Sequence, residues 1–437
     1  MPIPFTAAEG TVMLPATRTT LVTTECDQGD AMRTVHRSAA ILLPAALMLA
    51  RQAGAQSPTF TIHGRVQAQF SAASGDSTDR FRPDSVSTSG FEIRRLRIQA
   101  EARIGDNITM VLAPSFEMST LRLRDAYLRV QLWHSPKAGL GLTIGQEKKP
   151  FNRYELMSSN NLLSIERGIR AQGLKGPEAQ NNLLEDNLYI AHDIGASVDL
   201  SGAHNRLALK AGVYNGSGES ARDVNTAKSF GLRATATVLQ DSARHPLLRV
   251  GAAFFSRDRG VTSSPTANTF SPDSSHRSNA FGLDAEWGDF RPGLHVIADF
   301  AAGQTLRYGN FCSAGAAAIP CRVDGSPRNF GNLRPNAPDS AFSDFATVQV
   351  IAGWRWQLAD PAGTRMIKTV EPALRVDRTD PSTGDANDEV LLLTPTLAVY
   401  FSATTILRAG VDVYRYHDAA GASQTVSVFR MSWQANF

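Results

Sequence analysis

The sequence predicts an all-β fold, a transmembrane antiparallel up-and-down β-barrel of 16 strands preceded by a cleaved signal peptide. Three observations predict it. Apolar and polar residues alternate from Thr59 to the last residue. The connections between alternating segments are mostly short at one end and often long at the other. No stretch reaches the roughly 18 apolar residues that a membrane-spanning helix needs. A soluble-looking average hydropathy fits this fold, because lipid-facing and water-facing residues alternate and cancel.

The export signal comes first. Residues 1–31 show no strand or helix period and contain Cys26. From Met32 the pattern changes: Arg33, His36 and Arg37 are basic, Ala39 to Ala50 form an apolar run, and Ala53-Gly54-Ala55 supplies small residues for a signal peptidase. The expected organisation is a non-native extension at 1–31, a signal peptide at 32–55 and the barrel at 56–437. A short buried helix is the alternative reading of the apolar run, and Arg51 directly after it leaves the cleavage point open.

The strands follow in order. In the first, Phe60, Ile62, Gly64, Val66, Ala68 and Phe70 alternate with Thr61, His63, Arg65, Gln67 and Gln69. Successive residues of a strand face opposite sides, so one face is apolar and the other polar. The same holds for Leu96 to Ile104 against Arg95 to Arg103, Ala126 to Leu132 against Asp125 to Gln131, and Leu407 to Val413 against Arg408 to Asp412. The 16 strands are expected near 59–71, 91–104, 107–117, 123–133, 139–147, 188–200, 206–215, 228–239, 247–257, 279–288, 293–303, 344–358, 366–378, 389–401, 404–417 and 424–437. Long connections at 72–90, 148–187, 258–278 and 304–343 read as extracellular loops, and the short ones as periplasmic turns.

A soluble β-sandwich alternates too, but it has little use for charge on strand after strand. Here the polar face carries Arg65, Arg95, Arg97, Arg103, Arg129, Lys210, Arg233, Arg249, Arg355, Arg375, Arg408 and Arg430. It also carries Glu101, Asp125, Asp284, Glu286, Asp299, Glu371, Asp377 and Asp412. That face suits a wet lumen, with cross-strand pairing as the structural alternative to anion guidance. Trp133, Trp287, Trp356 and Trp433 near strand ends suit interfacial girdles facing outer-membrane lipid.

The last strand alternates Phe429, Met431, Trp433, Ala435 and Phe437. It resembles the terminal signature that outer-membrane barrels present to the barrel-assembly machinery, so that machinery is an expected partner through Phe437. A formal charge of +3 points to no nucleic-acid partner. No His-Glu-x-x-His, phosphate-binding Gly loop or Ca²⁺ loop occurs, so no catalytic residue, metal or cofactor is expected. Cys312 and Cys321 lie in a Gly/Ala/Pro-rich segment without strand pattern and are a disulfide candidate, free thiols being the alternative.

Several segments resemble the phosphate-selective porin O and P family. They are Arg94-Arg95-Leu96-Arg97, Leu123-Arg124-Asp125-Ala126-Tyr127-Leu128, Gly145-Gln146-Glu147-Lys148-Lys149-Pro150-Phe151, Ser158-Ser159-Asn160 with Ile165-Glu166-Arg167, His192-Asp193-Ile194-Gly195 and Tyr214-Asn215-Gly216-Ser217-Gly218. The likeness is dense from about 91 to 218; His192 stands where the family commonly has Arg. The resemblance implies a homotrimer of 16-stranded barrels, a third loop folded into each pore, and passage of small anionic solutes such as phosphate.

The third loop, near 148–187, is therefore expected to fold inward and narrow the lumen. The anion pathway is assigned to Lys148, Lys149 and Arg153 at the loop's root, with Arg95, Arg97 and Arg129 from early strands. Other lumen charges are Arg65, Arg103, Lys210 and Arg233, with Glu101 and Asp125 keeping binding weak enough for release. Three functions compete: a passive anion porin, a general or other-solute uptake porin, and a barrel enzyme or adhesin.

Overall fold

The computed structural model describes residues 57–437 apart from 74–88, 118–119, 169–178, 222, 224–227, 259–276, 289–290, 307, 315–316, 323–341, 362, 385–388 and 418–422. The extension and signal expected at 1–31 and 32–55 lie outside the described residues, as do the side chains of Cys312 and Cys321.

Each of the sixteen expected segments contains a strand. The strands are β1 (Thr59–Ala73), β2 (Ser89–Ile104), β3 (Ile108–Glu117), β4 (Thr120–His134), β5 (Gly139–Lys148), β6 (His192–Gly202), β7 (Leu207–Tyr214), β8 (Ser229–Gln240) and β9 (Pro246–Asp258). They continue as β10 (Arg277–Trp287), β11 (Gly293–Leu306), β12 (Tyr308–Ala314), β13 (Ala317–Arg322), β14 (Phe342–Gln357), β15 (Thr369–Asp380), β16 (Val390–Tyr400), β17 (Thr405–His417) and β18 (Ser423–Asn436). Sixteen of them close into one antiparallel barrel, while β12 and β13 pair only with each other. That hairpin lies inside the connection read as lacking strand pattern; at 7 and 6 residues its strands are too short for alternation to stand out. Among the described residues no helix is long and apolar enough to cross a membrane.

The barrel closes where β1 meets β18, with Ala68 opposite Trp433 and Phe70 opposite Met431. Gly64 N donates to Phe437 O at 2.8 Å, and Phe437 N donates to Gly64 O at 3.0 Å. The Phe437 ring covers Gly64 so closely that a Cβ there would collide with it. The β2–β3 turn needs a left-handed residue, and Gly105 supplies it at φ 58°.

The two faces separate as the alternation requires. Phe60 and Ile62 are 70% and 65% exposed on the outer wall, whereas Arg65 is 3% exposed on the inner one. Among the β-bulges that break the parity, two lie on β2 and β4 beside the internal loop. Gln67 faces Arg95 while Ala68 faces Ile93, so Arg94 is an extra residue in β2. A second irregularity, where Pro114 cannot donate to the ladder, adds a residue to β4 around Arg124 and Asp125.

The long connection after β5 runs inside the barrel and carries two short helices, α1 (Arg153–Leu156) and α2 (Gln180–Asp186). It ends later than the period suggested. Leu188 and Ala191 take left-handed backbone (φ 56° and 67°), which is incompatible with strand, so β6 starts at His192 rather than near 188.

Candidate functional site: the eyelet between the third loop and the β2–β6 wall

Apolar residues fix one side of the loop. Phe151, Leu183, Leu184, Tyr189 and Ile190 pack on Tyr214, Ala253, Phe255, Ala280, Ala301 and Phe345 of the inner wall. Tyr189 sits at the centre, its ring 6.0–6.3 Å from Phe151, Phe255 and Phe345. Its hydroxyl donates to Gln304 O at 2.6 Å. A second cluster joins Tyr154, Met157, Leu162 and Leu163 to Ile297 and Ile351.

Polar contacts lock the ends of the helices. Asn152 caps α1 by accepting from Glu155 N at 3.3 Å. Arg153 N donates to Asp299 Oδ1 at 3.1 Å, and its guanidinium forks onto Glu286 at 2.7 and 3.2 Å. At the start of α2, Gln180 N donates to both carboxylate oxygens of Asp377 at 3.2 Å. Asn160 reaches the opposite wall, where Arg65 donates to its side chain at 2.6 Å and Arg408 to its carbonyl at 2.9 Å.

The other side of the loop faces charge. Between it and the β2–β6 wall lies a cavity of about 50 Å³. Its cations are Arg94, Arg95, Arg97, Arg124, Lys148 and Arg167; its carboxylates are Glu117, Glu155, Glu166 and Glu185. His192 also lines it, with Nε2 3.3 Å from Asp125 Oδ1. Six cations against four carboxylates leave the lining cationic, and a small polar space suits water or a small anion. Two larger troughs, of about 650 and 490 Å³, lie on the lipid-facing wall and are lined by no ionisable side chain.

The loop carboxylates are held ionised. Burial alone would raise Glu166, but Arg94 and Arg95 outweigh it and bring the group down to about 2. Burial likewise opposes ionisation of Glu155, and Arg167 and Lys148 bring it down to about 2. Lys148 Nζ lies 3.3 Å from Glu155 Oε1 and also bonds the Glu155 carbonyl. Arg167 Nε is 3.1 Å from Glu155 Oε2.

Of the residues assigned to the pathway, Arg95, Arg97 and Lys148 line this cavity. Arg129 lies further along β4, donating to Thr143 Oγ1 at 3.2 Å with its guanidinium 5.6 Å from the Tyr127 ring centre. Lys149 is fully buried: it donates to Leu188 O at 2.6 Å, lies 3.8 Å from Asp193, and is pushed down to about 8 by burial. Arg153 is turned to Glu286 on the β10 wall. Among the other lumen charges, Arg103 pairs with Glu101 at 2.6 Å beside the β2–β3 turn. Lys210 pairs with Glu147 at 2.6 Å, and Arg233 with Asp284 at 2.5 Å.

Parity alone misses Arg94 and Arg124, because each sits at a bulge that adds an inward residue. Arg124 donates to Glu219 at 2.7 Å and also pairs with Glu117. Glu155, Glu166 and Arg167 lie in a loop without period. The resemblance in Ile165-Glu166-Arg167 was the signal available for two of them.

A closed 16-stranded barrel, apolar outside and charged inside, narrowed by an internal loop, defines an outer-membrane channel. The sequence profile of the family described as "Phosphate-selective porin O and P" matches residues 60–280, and the chain belongs to that family. It is a porin of the bacterial outer membrane. No curated protein matches the chain. Solved structures agree in fold. An anion-selective porin from Comamonas acidovorans superposes with a TM-score of 0.52 at 11% identity, over 87% of this chain and all (100%) of that one. The outer-membrane channel DcaP of Acinetobacter baumannii gives 0.51 at 12% identity, over 88% of this chain and 100% of its own.

Proposed function

We propose that this porin is a passive diffusion channel selective for small anions, phosphate among them. The observation that carries the reading is the eyelet lining, six cations against four carboxylates around the cavity beside the loop. In a narrow passage screening weakens, so a small excess of fixed charge sorts ions more strongly than at an open mouth. The family's description supports phosphate as a solute. Homotrimeric assembly belongs to the same proposal, through outer-wall positions such as Ala68, Ala100 and Ala102, whose small side chains permit close approach. So do delivery to the membrane by a signal at 32–55 and recognition of the strand ending at Phe437 by the assembly machinery.

The test is conductance of the purified protein in planar bilayers across a potassium chloride gradient. The expected zero-current potential has the sign of chloride preference. A potential of potassium sign, or none, favours the general-uptake reading, and a sealed barrel excludes both.

A further inference from the structure

The ion pairs around the cavity are not equivalent. Glu166 is the loop carboxylate at its most cationic corner. Arg94 Nε lies 2.6 Å from Glu166 Oε1, and Arg94 Nη2 lies 3.0 Å from Oε2. Arg95 Nη2 lies 2.7 Å from the same Oε2. Two guanidinium groups thus hold one carboxylate by three charge-assisted hydrogen bonds, in the fork geometry by which arginine takes a free oxyanion.

The backbone of Glu166 is held separately. Its carbonyl accepts from Ser164 Oγ at 2.6 Å and from Arg375 Nη1 at 3.4 Å. Tyr154 in turn bonds Ser164 from within an apolar cluster. The segment therefore stays in place without the carboxylate, whose remaining business is with Arg94 and Arg95. Arg95 keeps a neutral partner, Gln67 Oε1 at 2.8 Å, whatever happens to Glu166.

We propose that Glu166 is a specificity-determining residue: a tethered anion that occupies the oxyanion position on Arg94 and Arg95 and exchanges with the permeating solute. The solute it admits presents two oxygens to the fork, as a carboxylate or a phosphate does. The proposal rests on the anion-channel reading above. A tethered carboxylate returns whenever the solute leaves, so the clamp recognises an oxyanion without retaining it, the compromise that conduction requires.

Glu166→Gln keeps the size and removes the charge; Glu166→Asp keeps the charge. Both are measured in bilayers beside the wild type, with heat-modified electrophoretic mobility confirming folded barrels. The expected result for Glu166→Gln is a higher chloride-to-potassium permeability ratio. Acetate or inorganic phosphate should then block its chloride current at concentrations about tenfold lower than in the wild type, the worth of one charged hydrogen bond. Glu166→Asp should follow the wild type. Block by acetate alone assigns the position to carboxylates, and block by phosphate alone to phosphate. If Glu166→Gln raises chloride and potassium currents equally and leaves the block unchanged, Glu166 is only a strut and the proposal falls. A wild type without anion preference overturns the underlying reading as well.

Discussion

The third loop meets the barrel in two ways. On the β7–β14 wall it is held by a dry cluster around Tyr189, Phe255 and Phe345. On the β2–β6 wall it meets charge, Arg94 and Arg95 with Glu166 and Lys148 with Glu155, beside a polar cavity. The difference separates two tasks. Apolar packing is insensitive to passing ions and fixes where the loop stands. Ion pairs beside a polar cavity answer to any charge that enters it.

Removing the dry side has the largest expected effect. Phe255 is fully buried, edge-on to the Tyr189 ring and stacked with Tyr214. Phe255→Ala should weaken loop docking by about 3–5 kcal/mol. The expected readout is a larger, noisier single-channel conductance with poor selectivity, from a barrel that still resists heat in detergent. Unchanged current would mean that the ionic side alone holds the loop.

The basic residues divide between the cavity and the buried wall. Arg95→Glu with Arg97→Glu reverses charge at the cavity, and the zero-current potential should move towards potassium. Lys149→Met removes a buried cation that bonds Leu188 O and neighbours Asp193. It should lower thermal stability through a loss of about 1–3 kcal/mol and leave selectivity where it was. A selectivity shift from Lys149→Met would place that residue on the pathway after all.

The smallest expected effect is with pH. Glu155 and Glu166 sit at about 2 in the folded loop, below the ordinary glutamate value of 4.5. A depressed carboxylate contributes its ion pairs fully above the ordinary value, and the contribution is lost as pH falls from there through about 2. Conductance should therefore not change through these groups from pH 8 to 5, and should become unstable only in stronger acid. A transition near neutrality would show that other groups govern the ionic side.

Nearly all of the barrel was legible in the sequence. A period of two with one lipid-facing side has a single closed solution in a membrane, because an open edge would leave backbone groups unpaired. The loop's long span was legible as well, but not its contacts. Lys148, Lys149 and Arg153 are close in sequence, yet they point to Glu155, Asp193 and Glu286 respectively. Nothing periodic encodes that divergence; it follows from where α1 begins and which wall each side chain meets. Arg94 was hidden for a different reason. A bulge leaves no mark in an alternation pattern except a run such as Arg94-Arg95, whose two neighbours can both turn inward.

The seam between Gly64 and Phe437 has a consequence for how long the folded channel lasts. Every other neighbouring pair of barrel strands is also joined by a covalent connection, whereas β1 and β18 are held to each other by non-covalent contacts alone, their ladder and the Gln67–Ser432 side-chain hydrogen bond among them. Unravelling from inside the wall would expose two edges to hydrocarbon while the connecting loop still held them together. Parting at the seam exposes the same edges with nothing to draw them back. The closed ring therefore depends at this seam on the ladder and on the Phe437 ring that covers Gly64, with no loop to bring the two edges back together once they part.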